Sequence, residues 1–116
     1  MRSFYYAFKG IASALQTEFN MRIHVVAAVL VILAGFYFQI AAAEWMMIVL
    51  CICSVLAMEL INTAIEQLCN HVTAEVHPAI KKIKDIAAAA VLVVAAGSLA
   101  VALIIFLPKL ISLFTT

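Results

Sequence analysis

From Trp45 to Cys69 the chain is almost continuously apolar, yet it carries Glu59 and Glu66 inside that run. An ionisable side chain at membrane depth costs about 2.5–3.5 kcal/mol on insertion scales and more on others, so paired carboxylates there point first to function. Glu59, Asn62, Thr63, Glu66 and Asn70 stand at offsets 0, 3, 4, 7 and 11, which a 3.6-residue helix gathers onto one narrow face. The polar groups thus form a stripe. Two glutamates snorkelling at a helix end are the simpler alternative. That account suits Glu66 but not Glu59, which lies about 10 Å deeper at 1.5 Å per residue.

Composition agrees with a membrane chain. Of 116 residues, 68% are hydrophobic and 11% charged, well beyond the balance of an average globular domain. The net charge of +1 argues against a nucleic-acid partner. Cys51, Cys53 and Cys69 are odd in number and lie in one apolar run, which speaks for small core side chains over a disulfide framework. Cys51 and Cys53 are about 200° apart around a helix and do not chelate one ion together. The N-terminal residues show no apolar core followed by a small-residue cleavage site, so no signal peptide is expected.

Residues 3–22 place Phe4, Tyr5, Phe8, Ile11, Ala12, Leu15 and Phe19 near helical spacing, with polar residues between them. This pattern predicts an amphipathic helix lying in the membrane interface. Glu18 and Arg22, four apart, are placed to pair. Three spans follow, over 23–43, 45–69 and 84–107, each long enough for a bilayer core. Residues 41–45 form a short connection, with Trp45 in aromatic-belt position. The one strongly polar loop runs from Asn70 to Asp85, with Pro78 expected in the first turn of the last helix and Pro108 closing it. The fold class is therefore an all-α membrane protein forming a single domain over 1–116.

Arg2, Lys9 and Arg22 precede the first span, and Lys81, Lys82 and Lys84 lie between the second and third. The positive-inside rule puts the N-terminus and this second loop in the cytoplasm. The acidic stripe then sits at the cytoplasmic end of its helix, where ATP is available. Carboxylates from separate helices near a basic residue suit magnesium, which takes one or two protein carboxylates and leaves the rest of its octahedron to phosphate and water. Glu59, set deeper, meets an approaching lipid hydroxyl where partial desolvation makes a carboxylate a better proton acceptor. Asn62 is one turn away, and Lys84 is available to phosphate charge. No P-loop occurs, and Gly10, Gly35 and Gly97 are too scattered to cradle phosphates. His71, Glu75 and His77 lack a recognised transition-metal spacing.

Glu59-x-x-Asn62-Thr63-Ala64-Ile65-Glu66, then Glu75-x-His77, then Lys84-Asp85-x-x-x-Ala89-Ala90-Val91-Leu92, resembles the signature of the small integral-membrane prokaryotic lipid kinases, the diacylglycerol kinase and undecaprenol kinase family. The similarity runs without gaps from Phe8-Lys9-Gly10 to the third span. The stretch Thr17 to His24 is most similar to undecaprenol kinases of Gram-positive type. The resemblance implies that Glu59 is the catalytic base and meets the lipid substrate, that Asn62 supports it, and that Glu18 and Glu66 hold Mg2+. It further implies that Tyr6, Glu18, Glu66, Glu75, His77, Lys84 and Asp85 contact ATP, and that the protein is a homotrimer in the bacterial cell membrane with sites shared between subunits.

Departures accompany the match. Asn70 replaces a usual Asp, Val76 an aromatic residue, and Ala87-Ala88 a Gly-Ser pair of the diacylglycerol enzymes. Undecaprenol is the favoured acceptor, diacylglycerol the alternative. A small multidrug-type transporter would explain Glu59 alone but not the gathering of Glu66, Lys84 and Asp85, and a purely structural subunit leaves the buried carboxylate unexplained.

Overall fold

The computed structural model describes residues 2–73, 75 and 77–115; Val76 lies outside them. Four helices account for nearly all of these: α1 (Arg2–Thr17), α2 (Phe19–Phe38), α3 (Ala42–Val72) and α4 (Pro78–Thr115). The last three are long and apolar enough to cross a membrane. The chain is a multi-pass, all-α membrane protein. Its thinnest dimension is 21 Å against a length of 59 Å, roughly two helix diameters. So flat a slab leaves many large apolar side chains uncovered, as suits helices long and apolar enough to cross a membrane.

Residues 3–22 are not one helix. Glu18 adopts an extended conformation (φ −111°, ψ 114°) between α1 and α2. The expected Glu18–Arg22 pair does not form. Arg22 instead reaches back, its Nε donating to Leu15 O at 2.8 Å and its Nη2 to Gln16 O at 2.7 Å. The last turn of α1 has carbonyls with no helical partner, and a guanidinium satisfies two of them at once. Phe4, Tyr5, Tyr6 and Phe8 stay exposed on α1, the outer surface expected of an interfacial helix.

The opposite end is closed by a tight α2–α3 connection. Gln39 takes a left-handed conformation (φ 52°), its N–H donating to Phe36 O and that of Ile40 to Gly35 O, at 3.3 and 3.2 Å. This is a Schellman motif with Ile40 buried beneath it. A glycine or asparagine would adopt that φ with less strain than Gln39. The connection is shorter than expected, since Ala42 already begins α3 and Glu44 Oε1 accepts the Ala41 N–H at 3.0 Å. At the far end, α4 starts at Pro78, as expected, but does not stop at Pro108. It continues to Thr115, and Lys109 Nζ meets Glu44 Oε2 at 3.1 Å, tying the segment beyond the proline to the start of α3. Neighbouring packing thus outweighs the lost N–H and the ring clash of an internal proline.

The core at this end consists of Ile40, Ile48 and Ile105, flanked by Trp45, Phe38 and Phe106. Trp45 does more than mark an interface. Its ring lies against Gly35 and stacks at a tilt on Phe36, centroids 4.9 Å apart. A Cβ on Gly35 would approach Trp45 Cη2 to 2.6 Å, so α2 and α3 close here because residue 35 has no side chain. Gly35→Ala is expected to destabilise the fold by about 1–3 kcal/mol through overpacking, read as a lower melting temperature in detergent. An unchanged value would show that the ring swings aside freely.

Candidate active site

The polar stripe of α3 faces inward. Glu59, Asn62 and Thr63 are buried, Glu59 to 2% exposure, and Glu66 is half-buried. The periodicity argument holds for four of its five residues, which turn toward the protein, whereas Asn70 near the end of α3 is exposed. Asn62 Nδ2 donates to Glu66 Oε1 at 3.3 Å, an i, i+4 contact along the stripe. Asn62 Oδ1 and Thr63 Oγ1 are buried without a partner among the described residues. Unmet polar atoms are costly in a dry interior and mark a place where a ligand or water has work to do.

Glu18 joins this end from the α1–α2 joint. Its extended backbone breaks the helix beside the stripe, and its carboxylate caps nothing. His24 Nε2 lies 3.6 Å from Glu59 Oε2, a contact across α2 and α3 that residue spacing does not anticipate. The only hint is a histidine in an otherwise apolar stretch. Among the described residues no cluster of three or more His, Cys, Asp or Glu side chains is assembled to hold a metal. Glu18 and Glu66 are oxygen donors of the kind magnesium takes. Cys51, Cys53 and Cys69 are free thiols.

Most of the residues expected at the nucleotide come from α1, the α3–α4 loop and the start of α4. Tyr6 lies on exposed α1, lining a shallow cleft against Thr63, Ala64 and Gln67 of α3. Glu75 is exposed in the α3–α4 loop, its N–H donating to Thr73 Oγ1 at 3.1 Å. His77 caps α4, its Nδ1 accepting the Ala79 N–H at 3.1 Å. Lys84 Nζ donates to Asn70 Oδ1, so an amide keeps a partner for Lys84 where a carboxylate is usual. Asp85 pairs with Lys81 at 2.7 Å on an exposed face. Neither Lys84 nor Asp85 bonds to Glu18, Glu59 or Glu66 among the described residues. Lys84 nevertheless reaches the stripe through its outermost member, Asn70.

Beneath the acids lies an apolar cleft of about 200 Å3 between α2, α3 and α4. Ala27, Ala28, Ala95 and Ala102 give it width, and His24 stands in its wall. Small side chains on facing helices open a slot that larger residues would fill. Ala87 and Ala88 lie nearer the start of α4, Ala87 buried and Ala88 exposed.

The chain matches the family described as prokaryotic diacylglycerol kinase over residues 5–106. It is 43% identical over 109 residues to the undecaprenol kinase of Bacillus subtilis (strain 168), covering 94% of this chain and 89% of that relative. It is also 37% identical over 112 residues to a diacylglycerol kinase of a Synechocystis species, covering 96% of this chain and 64% of that relative. The chain therefore spans slightly under two thirds of the second protein. Because the matched region takes in α3 whole, the joint at Glu18 and the loop to α4, this chain belongs to the prokaryotic diacylglycerol kinase family.

Proposed function

We propose that the protein transfers the γ-phosphoryl group of ATP to the hydroxyl of undecaprenol at the cytoplasmic face of a bacterial cell membrane, forming undecaprenyl phosphate. Membership of the family makes it a lipid kinase. The observation that carries the reading is a buried carboxylate, Glu59, beside His24, which lines an apolar cleft. A membrane alcohol needs both halves of that arrangement: an apolar path for its chain and a base at the end of it. The higher identity to the Bacillus subtilis undecaprenol kinase favours the polyprenol. Diacylglycerol, yielding phosphatidic acid, is the second reading, supported by the Synechocystis relative.

In this mechanism Glu59 accepts the hydroxyl proton while the substrate oxygen bonds to the γ-phosphorus and the bond from that phosphorus to the ADP oxygen breaks. Asn62 steadies Glu66 through its amide nitrogen and leaves its unpartnered oxygen to a substrate donor. Glu18 and Glu66 would hold magnesium, which when bound offsets charge on the nucleotide phosphates. Tyr6, Glu75, His77, Lys84 and Asp85 contact the nucleotide. The slab is too thin to enclose ATP, and Lys84 and Asp85 are engaged with Asn70 and Lys81. A homotrimer whose sites draw residues from neighbouring subunits accounts for both features. The basic residues of α1 and of the second loop support a cytoplasmic position for this end.

Glu59→Gln is expected to lower transfer from γ-labelled ATP to lipid by at least about a hundredfold while nucleotide still binds, because general-base catalysis contributes about 10²–10⁴-fold. Near wild-type turnover would rule out the base assignment. Glu66→Gln is expected to weaken nucleotide binding in magnesium more than in its absence, as calorimetry would read. Equal loss in the two conditions would remove its ligand role. Assayed side by side in mixed micelles, undecaprenol is expected to show the higher kcat/KM. A preference for diacylglycerol would reverse the substrate assignment and leave the kinase intact.

A further inference from the structure

We propose that His24 is a positioning residue for Glu59, fixing one carboxylate oxygen so that the other faces the substrate hydroxyl. The inference rests on the reading of Glu59 as the base. A glutamate has three side-chain torsions, and a base that must meet a hydroxyl in one geometry gains from an external anchor, since displacements near 1 Å cost about a hundredfold in rate. Asn62 does not supply that anchor: it bonds to Glu66. Among the described residues, His24 is the one basic side chain within ion-pair distance of Glu59, and it faces Oε2. It comes from a different helix, so its grip resists rotation of the α3 side chain.

The placement of the imidazole fits that task. Its side chain is 21% exposed and that of Glu59 3%, so the contact lies at the boundary between dry interior and polar end, where electrostatic attraction is less screened than at the surface. The same ring lines the apolar cleft beside Ala28 and Val55. An alcohol arriving at the end of that cleft therefore meets His24 and Glu59 together. At 3.6 Å the contact is longer than a hydrogen bond, as unliganded catalytic contacts often are before substrate closes them.

The test compares His24→Leu, which keeps bulk without a donor, with His24→Gln, whose amide nitrogen stands near the place of Nε2. The expected result is a kcat about tenfold lower for Leu with KM for ATP unchanged, and substantial recovery in Gln. A packing role predicts the reverse order, Leu matching or exceeding Gln. Independently of activity, the His24 imidazole 15N resonances of the full-length protein in micelles are expected to shift on Glu59→Gln. An unmoved resonance, or a Leu variant as active as Gln, would overturn the positioning role with the base assignment intact. Full turnover in Glu59→Gln would instead overturn the base assignment and this proposal with it.

Discussion

A carboxylate buried in an apolar helix is the constraint around which this molecule is arranged. Glu59 is almost wholly enclosed, and isolated buried charge is far too costly to persist without compensation. The structure answers with neighbours: a histidine from α2, a polar stripe continuing along α3, and a chain joint at Glu18 that opens the end of the bundle. Each is poor helix economy considered alone. Together they surround a carboxylate at membrane depth with polar partners from more than one helix.

The two ends of the molecule divide the labour. At one end the Schellman turn at Gln39, the Gly35–Trp45 contact, the isoleucine cluster and the Lys109–Glu44 bridge pack the helices closely. From there toward His24, small residues hold a cleft open, and beyond it Asn62 Oδ1 and Thr63 Oγ1 are buried without a partner among the described residues. Close packing at one end fixes the mutual tilt of α2, α3 and α4. The looser end can then hold side chains from different helices in register without filling the space between them.

Much of the fold was readable in the chain because membrane helices obey two simple rules, apolar length and polar periodicity. Three runs of sufficient length gave three spans, and the offsets foretold an inward face on which Glu59, Asn62 and Thr63 are buried and Glu66 half-buried. Helix ends were harder. The break at Glu18 and the continuation through Pro108 depend on what lies alongside, and local propensity carries no record of that. Arg22 illustrates the point: spacing offered Glu18 as its partner, whereas the frayed carbonyls of α1 took it.

The sequence by itself determined that this is a helical membrane protein with an acidic face inside one span, because burying charge in lipid is prohibitive unless that face turns inward. It also carried a family signature dense enough to name the chemistry. Only the tertiary structure decided which groups meet. His24 lies beside Glu59, and Lys84 turns to Asn70. Contacts between helices are set by their tilt, rotation and separation, and residues 35 or 14 apart in the chain come together only once those are fixed.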